Sequence, residues 1–332
     1  MKRFAAGFLA LLLAALPAAA EEITLATWNI EHFAAHFEAM RLQRSLAGEK
    51  TDVGPMVMDL IARERAQNDE DLWEIARVLM DRNLSPDIVV IQECCDEREL
   101  KLFNNRWLRG SYETVIVFPG NSGRGQNLGI MLKPGFAVVE RRDQYYLEPD
   151  PQPNPRGQRL FARGPAFVKV RTSAGYEFWV GTTHQKSKLD NDHAVASWRY
   201  REAKRTHEIL RELEQAGPSD VILLGDMNDE LGEEDLEAQT GGDTIATLLG
   251  GESPHFILAT RELAESGATS FGGYWRSNYR SMIDHIVVSK SVKDQIREVF
   301  IFDHPLASVA SDHYPVALRI TPDPPPATQP AK

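Results

Sequence analysis

The segment from Val221 to Glu230, VILLGDMNDE, decides how the chain is read. Val221, Ile222, Leu223 and Leu224, bounded by Gly225 and acids, predict a short strand buried on both faces. Gly225 is expected to let the backbone leave the sheet sharply, and Asp226 and Asn228, two apart, then fall on one side of the extended segment. A carboxylate and an amide at the mouth of a buried strand can hold a water and a phosphoryl oxygen side by side. The same letters are also ordinary turn composition, so other strands must deliver matching groups before chemistry is argued.

They do so repeatedly. Residues 23–30 (ITLATWNI) alternate and are rich in β-formers; Asn29 closes this strand and Glu31 follows two residues on. Residues 88–92 (IVVIQ) read as a second buried strand, which delivers Glu93. Further strands are predicted at residues 114–118, 128–133, 137–146, 166–171 and 178–183, the last leading to His184. Residues 282–288 (MIDHIVV) enclose Asp284, an acid that needs a partner if buried. Asp312 and His313 stand just before a last strand at 314–320. Any one strand-end acid has a plain structural explanation. So many like charges at strand ends are unstable together without a cation or a paired base.

The helical pattern is sparser. Asn68 to Asp71 supply an N-cap and an acidic first turn, after which Leu72, Ile75, Ala76 and Leu79 fall on one face. Residues 198–214 predict a second helix with Ala203, His207, Leu210 and Leu213 on one side; Arg199, Arg201, Lys204 and Arg205 read as a solvated face. The pattern weakens over 36–68, where a long loop with a short helix is expected, a lid or a surface elaboration. The prolines of residues 148–156 (EPDPQPNPR) predict a loop, as do the acids of 230–243, and residues 244–249 a short helix. With no repeat and no internal linker, residues 21–320 form one domain in which two sheets stack between helices.

The ends are different. Lys2 and Arg3, an apolar run over 4–16, Pro17 and then Ala18, Ala19 and Ala20 match a secretory signal cleaved after Ala20. An N-terminal anchor is the rival reading, but the run is short for a span of about 20 residues. Export to the periplasm or medium is therefore expected, without a stable membrane anchor after cleavage. Residues 321–332 (TPDPPPATQPAK) are a Pro-rich tail that is expected to be disordered. Taking Lys2 and Arg3 from the 37 basic residues leaves 35 against 48 acidic ones, a net charge of −13 for the mature chain. Such a surface argues against a tight nucleic-acid binder, and a phosphate substrate must be drawn in locally by a cation or an arginine cluster. The 2 cysteines, Cys94 and Cys95, are adjacent. Neighbouring Cα atoms lie about 3.8 Å apart, short of the usual disulfide range of about 4.4 to 6.8 Å, so at least one is read as a buried small hydrophobe.

The ordered set TWNIEHF, VVIQE, GTTHQKS, LLGDMND, MIDHIVVS and ASDHYPV resembles the endonuclease/exonuclease/phosphatase superfamily of DNase I, apurinic endonucleases, inositol polyphosphate phosphatases and neutral sphingomyelinases. The likeness runs from Thr27 to Val316. It implies an α/β fold of DNase I type, a four-layer α/β/β/α sandwich, and divalent-metal hydrolysis of phosphate esters. By the same likeness Asn29 and Glu93 hold Mg²⁺, with Glu31 and Asp312 nearby. Hard oxygen ligands of this kind suit Mg²⁺, Mn²⁺ or Ca²⁺. Asp226 orients or deprotonates the attacking water, Asn228 steadies the phosphoryl oxygens, His313 contacts the scissile phosphate and Asp284 fixes its tautomer.

His184, followed by Gln185, Lys186, Ser187 and Lys188, is similar to the H-x-K-S-K run of bacterial extracellular nucleases. The acid that pairs with this histidine in DNase I is replaced here by Gln126, so His184 is expected to be less basic. Arg163 resembles an arginine that reaches the substrate phosphate. Arg156, Arg159, Arg276 and Arg280 could extend a positive groove, with Tyr274 and Trp275 as base-stacking surfaces, although ordinary surface positions are the commoner reading. The expected protein is an exported, monomeric, Mg²⁺- or Mn²⁺-dependent nuclease for DNA or RNA, binding nucleic acid transiently. A phosphatase or a sphingomyelinase on the same fold is the alternative; the latter would want an exposed aromatic hairpin for membrane contact.

Overall fold

Alternate residues of the first strand enter two different apolar environments, which a strand between a second sheet and a helical layer requires. In the computed structural model the described residues are 22–49, 54–155, 157–188, 192–217, 220–232, 234–272 and 280–322. The expected signal, the Pro-rich residues from 323 on, Arg156, Tyr274, Trp275 and Arg276 lie outside them.

In chain order the first half lays down β1 (Ile23–Asn29), α1 (Glu38–Glu49), α2 (Pro55–Leu79), β2 (Ile88–Cys94), α3 (Glu97–Arg106), β3 (Thr114–Phe118), β4 (Asn127–Leu132), β5 (Phe136–Arg142), β6 (Pro149–Asn154) and β7 (Gly157–Arg159). The second half adds β8 (Ala166–Thr172), β9 (Glu177–His184), α4 (His193–Gln215), β10 (Asp220–Asp226), α5 (Asp235–Thr240), α6 (Thr244–Leu249), β11 (Phe256–Leu258), α7 (Arg261–Glu265), β12 (Asp284–Ser289), β13 (Ile296–Ile301), α8 (Ala307–Ala310) and β14 (Val316–Ile320). Two six-stranded sheets result, ordered β13-β14-β1-β2-β4-β3 and β11-β12-β10-β9-β8-β5, with β6 and β7 as a separate pair. Each large sheet has a parallel pair at its centre, β1 with β2 and β9 with β10.

Three apolar layers hold this together. Ile23, Leu25, Ile88, Val90, Val180, Ile222, Leu224 and Ile286 pack between the sheets. Trp28, Val89 and Ile91 turn the other way, against Leu72, Ile75 and Leu79 of α2 and Phe103 of α3. Trp179, Val221 and Leu223 face Ala203, Leu210 and Leu213 of α4 and Leu248 of α6. The order helices, sheet, sheet, helices is the expected four-layer α/β/β/α sandwich. Each fully buried large aliphatic side chain contributes roughly 1.5 to 3 kcal/mol. Among the described residues no helix is long and apolar enough to cross a membrane.

Several local expectations need correction. The helix placed after Asn68 begins at Pro55 with Gly54 as its cap, and Asn68 lies buried inside it. The presumed loop over 36–68 is thus mostly α1 and α2; its irregular letters are a helix start with proline in its first turn. The proline-rich 148–156 stretch contains β6, which survives its prolines because the two-stranded pair needs few ladder bonds. The acidic 230–243 stretch contains α5, closed by a capping box between Glu234 and Glu237. Arg199 is not on a solvated face: it is fully buried and its Nε donates to Asp229 Oδ2 at 2.7 Å. Gly225 stays within β10 instead of breaking it; a Cβ there would meet Thr183 O at 2.2 Å, so its absence permits a close backbone approach. Cys94 and Cys95 are both buried and free.

Candidate active site

The C-terminal ends of the parallel strands meet at one rim, where open α/β sheets carry their chemistry. Asn29 ends β1, His184 ends β9, Asp226 ends β10, and Asp284 opens β12. In the second sheet His184 pairs with Asp226 and Asp226 with Asp284, so the three form one row across neighbouring strands. Ile222, Leu224, Val180 and Ile286, at the same strand parity, face the space between the sheets; the row therefore opens into that space. From the first sheet, Asn29 Nδ2 donates to Asp226 Oδ2 at 3.0 Å.

Glu93 arrives differently. Gln92 already points between the sheets, accepting from Thr27 Oγ1 at 3.0 Å and donating to Thr182 Oγ1 at 2.9 Å, so alternation would send Glu93 to the helical side. A register shift between Ile91 and Cys94 and a φ of 58° at Glu93 turn its carboxylate back to the rim, as a bulge does. There Oε2 accepts the His32 backbone N–H at 2.9 Å and a hydrogen bond from Gln126 Nε2, while Oε1 lies 3.9 Å from Arg163 Nη1. Gln126 thus serves Glu93, not His184. Arg163, buried, also donates to Gln126 Oε1 and Gln185 O, each at 3.4 Å.

The loop after β10 is fixed by its own side chains. Asp226 Oδ1 accepts the Asn228 N–H at 2.8 Å, and Asn228, at a φ of 51° that asparagine tolerates, donates Nδ2–H to Gln185 O at 3.1 Å. His313 Nδ1 donates to Asp284 Oδ2 at 2.7 Å, and Ser270 Oγ donates to the same oxygen at 2.7 Å. Trp28 Nε1 donates to His313 O at 2.9 Å, while the Phe271 ring lies 4.8 Å from the imidazole. His313 Nε2 is left facing Asp312 Oδ1 at 3.8 Å and Asp226 Oδ2 at 3.9 Å.

These contacts set the charges. Burial alone would raise Asp226, but His184, His313 and the Asn29 amide hold it well below the usual carboxylate range. Burial would lower His313, yet Asp284, Asp226 and Asp312 push it up to about 10, so it is an imidazolium at neutral pH. His184 is lowered by burial and by Arg163. Its Nε2 lies 3.2 Å from Asp226 Oδ2 and Nδ1 has no hydrogen-bond partner among the described residues, the pattern of a neutral ring donating once. Asp312 is pushed up to about 6 by burial, against His313 and with Glu31, Glu93 and Asp226.

Two observations fit a hard cation here. Asn29 Oδ1 is buried and has no hydrogen-bond partner among the described residues, which is costly unless something positive meets it. Glu31, Glu93 and Asp226 all raise Asp312, a crowding of carboxylates that a bound cation would relieve. Ligand atoms of Asp226, Asp284 and His313 also lie within 4.8 Å of one another and could hold a metal, although His313 and Asp284 already bond each other.

The rim thus collects Asn29, Glu93, Arg163, His184, Asp226, Asn228, Asp284, Asp312 and His313, with half-buried Glu31 close enough to raise Asp312. Arg280 is exposed and packs on Gly272. Sequence reasoning missed Ser270 and His32; the second lies in TWNIEHF, one residue past Glu31, with Nδ1 3.5 Å from Glu93 Oε2.

The chain belongs to the endonuclease/exonuclease/phosphatase family, whose sequence model matches residues 26–313. It is therefore a phosphoric ester hydrolase. Among solved structures it is similar to truncated TDP2 of Caenorhabditis elegans, at 15% identity and TM-score 0.57 over 92% of this chain and 99% of that one. It is similar to an endonuclease/exonuclease/phosphatase family protein of Bacteroides thetaiotaomicron, at 18% identity and TM-score 0.58 over 90% of this chain and 95% of that one. The human Nocturnin catalytic domain with bound sulfate shares 16% identity at TM-score 0.55 over 90% of this chain and 93% of that one. No protein with a curated description matches the chain.

Proposed function

We propose that the chain is an exported, monomeric nuclease that hydrolyses DNA or RNA phosphodiesters with the help of Mg²⁺ or Mn²⁺, of the kind bacteria secrete. The observation that carries this reading is the Asp226 carboxylate, ionised and held between His184, Asn29 and the Asn228 N–H at the rim where Glu93 and Arg163 also meet. Asn29 and Glu93, with Glu31 and Asp312 beside them, are the residues that would hold the cation. When bound, that cation supplies a Lewis acid for the phosphoryl oxygens.

The chain's own groups divide the remaining work. Asp226, fixed by His184 and Asn29, orients a water in line with the phosphorus and takes its proton as the attack proceeds, while the P–O bond opposite breaks and the leaving oxygen takes a proton from solvent water. The His313 imidazolium presents Nε2–H to a non-bridging oxygen as negative charge grows on it, and Asp284 keeps that ring charged and aligned. Asn228 borders the same space. His184 is a neutral positioning group for Asp226 in this scheme, not the leaving-group acid. The D. rerio TDP2 structure with single strand DNA product has the same fold at TM-score 0.50 and 16% identity; that ligand belongs to TDP2.

The test is a substrate panel. Protein lacking residues 1–20 is incubated with plasmid DNA, RNA, sphingomyelin, and bis- and mono-(4-nitrophenyl) phosphate, in Mg²⁺, Mn²⁺ or EDTA. Nucleic acid and the diester are expected to be cleaved only with metal, and Asp226→Ala and His313→Ala to lose about a thousandfold each. Cleavage of the monoester alone would replace this reading with a phosphatase, and equal activity in EDTA would reject the metal.

A further inference from the structure

Beside the rim lies a cleft of about 750 Å³. Its walls come from the loop at 121–124, the β6–β7 pair, residues 161–163, Lys186 and Ser187, and Trp198 of α4. Arg124, Arg159, Arg163 and Lys186 line it, and no carboxylate is among its lining residues. In a chain of net charge −11 such a concentration of one sign is not background surface. Arg163 is 7% exposed, its Nε has no hydrogen-bond partner among the described residues, and Arg124 is near enough to lower its pKa. Arg159, exposed, also donates to Leu147 O.

Arg163 joins the cleft to the catalytic rim, since the same guanidinium lies 3.9 Å from Glu93. Phe161 and Trp198 form its apolar floor, both almost wholly buried. A cleft of this volume is in the range that takes one nucleotide-sized unit, not a duplex. We propose that it is a subsite for the phosphate next to the scissile one on a single nucleic-acid strand, with Arg124 and Arg159 as its anion-binding side chains. Resting as it does on the nuclease reading above, this makes the preferred substrate a single strand with at least two consecutive phosphates. Arg163 and Lys186 bridge the two phosphate positions, and the acidic remainder of the surface repels strand that lies outside the groove.

The test compares a short thymidine oligonucleotide with bis(4-nitrophenyl) phosphate, which has no neighbouring phosphate. In Arg124→Ala and in Arg159→Ala the ratio of kcat/KM on the oligonucleotide to kcat/KM on the nitrophenyl ester is expected to fall about tenfold, mainly through KM. Arg124→Lys should restore part of the loss, and the dependence of oligonucleotide binding on salt should flatten in the alanine variants. An unchanged ratio in both alanine variants would overturn the subsite, whether or not overall activity falls. Binding of a fluorescent oligonucleotide in EDTA, measured by anisotropy, separates this from the nuclease reading. If the unaltered protein cleaves neither substrate, weaker binding in the variants still supports the subsite, and equal binding ends it. Tighter arginine-dependent binding of inositol hexakisphosphate than of the oligonucleotide would also overturn the strand assignment.

Discussion

His313 donates Nδ1–H to Asp284 Oδ2 at 2.7 Å, with both side chains buried, although 29 residues and two different strand ends separate them. The pairing makes the imidazole a standing cation, because Asp284 is the strongest of the acids that push His313 up to about 10. Asp284→Asn keeps the size of the side chain and an acceptor for Ser270 but removes that charge. Its kcat on a diester should fall by about a hundred- to ten-thousandfold. In metal-free protein the His313 pKa should drop below its value of about 10, which a proton NMR titration of the ring reads directly. A variant that loses activity while His313 titrates unchanged would assign Asp284 a packing role only.

Glu202 offers a pH dependence away from the reacting groups. It sits on α4, buried, and its Oε2 accepts the Lys186 N–H at 2.7 Å. Burial raises its pKa to about 7 from an ordinary 4.5, even though the Lys186 and Ala162 N–H groups and Arg163 pull it down. A raised folded pKa means that the folded chain holds a proton the unfolded chain has released. The associated stability is complete below about 4.5 and is lost as pH rises through about 7, a swing on the order of 3 kcal/mol. Chemical denaturation at pH 5 and pH 8 should show this difference, and Glu202→Gln should shrink it. A variant that keeps the full difference would move its origin to another group.

How much of this was legible before folding depends on what each residue's signal was. Strands such as residues 114–118 and the short helix at 244–249 matched to the residue, because apolar runs bounded by turn letters depend on local pattern alone. Asn29, His184, Asp226, Asp284 and His313 could be picked out as polar letters at strand ends, but their mutual distances could not. Glu93 reaches the rim only through a bulge and a positive φ, and nothing in IVVIQE announces either. Arg199 was misread because a charged letter on a helix ordinarily means solvent. Its partner Asp229 lies 30 residues away on the catalytic loop, and sequence spacing gives no hint of that contact.

That buried pair predicts a stability effect. Asp229 is wholly buried and receives Arg199 Nε at 2.7 Å and Lys188 Nζ at 2.5 Å, immediately after Asn228. Asp229→Ala removes the buried carboxylate that both Arg199 and Lys188 meet, although Lys188 keeps Glu234, and should cost about 3 to 5 kcal/mol, seen as a lower urea midpoint. Arg199→Met together with Asp229→Leu removes both charges of the central pair and should recover part of that loss. If the double variant is no more stable than Asp229→Ala, charge burial is not the cause.

Gly225 and Gly181 make a contrast that isolates the backbone at the rim. An added Cβ at Gly181 would meet the Phe167 ring at 2.2 Å, and a ring can rotate or shift. At Gly225 it would meet Thr183 O at 2.2 Å and Thr183 N at 3.0 Å, main-chain atoms of the neighbouring strand β9. Those atoms can yield only if β9 and β10 move apart, and His184 and Asp226 are the next residues on each. Both alanine variants should lose about 1 to 3 kcal/mol or more to overpacking. Only Gly225→Ala should also separate His184 from Asp226 and lower kcat far beyond what its lost stability explains, at temperatures where the variant is fully folded. Equal kcat in the two variants would mean that the spacing of these strands does not set the geometry of the Asp226 carboxylate.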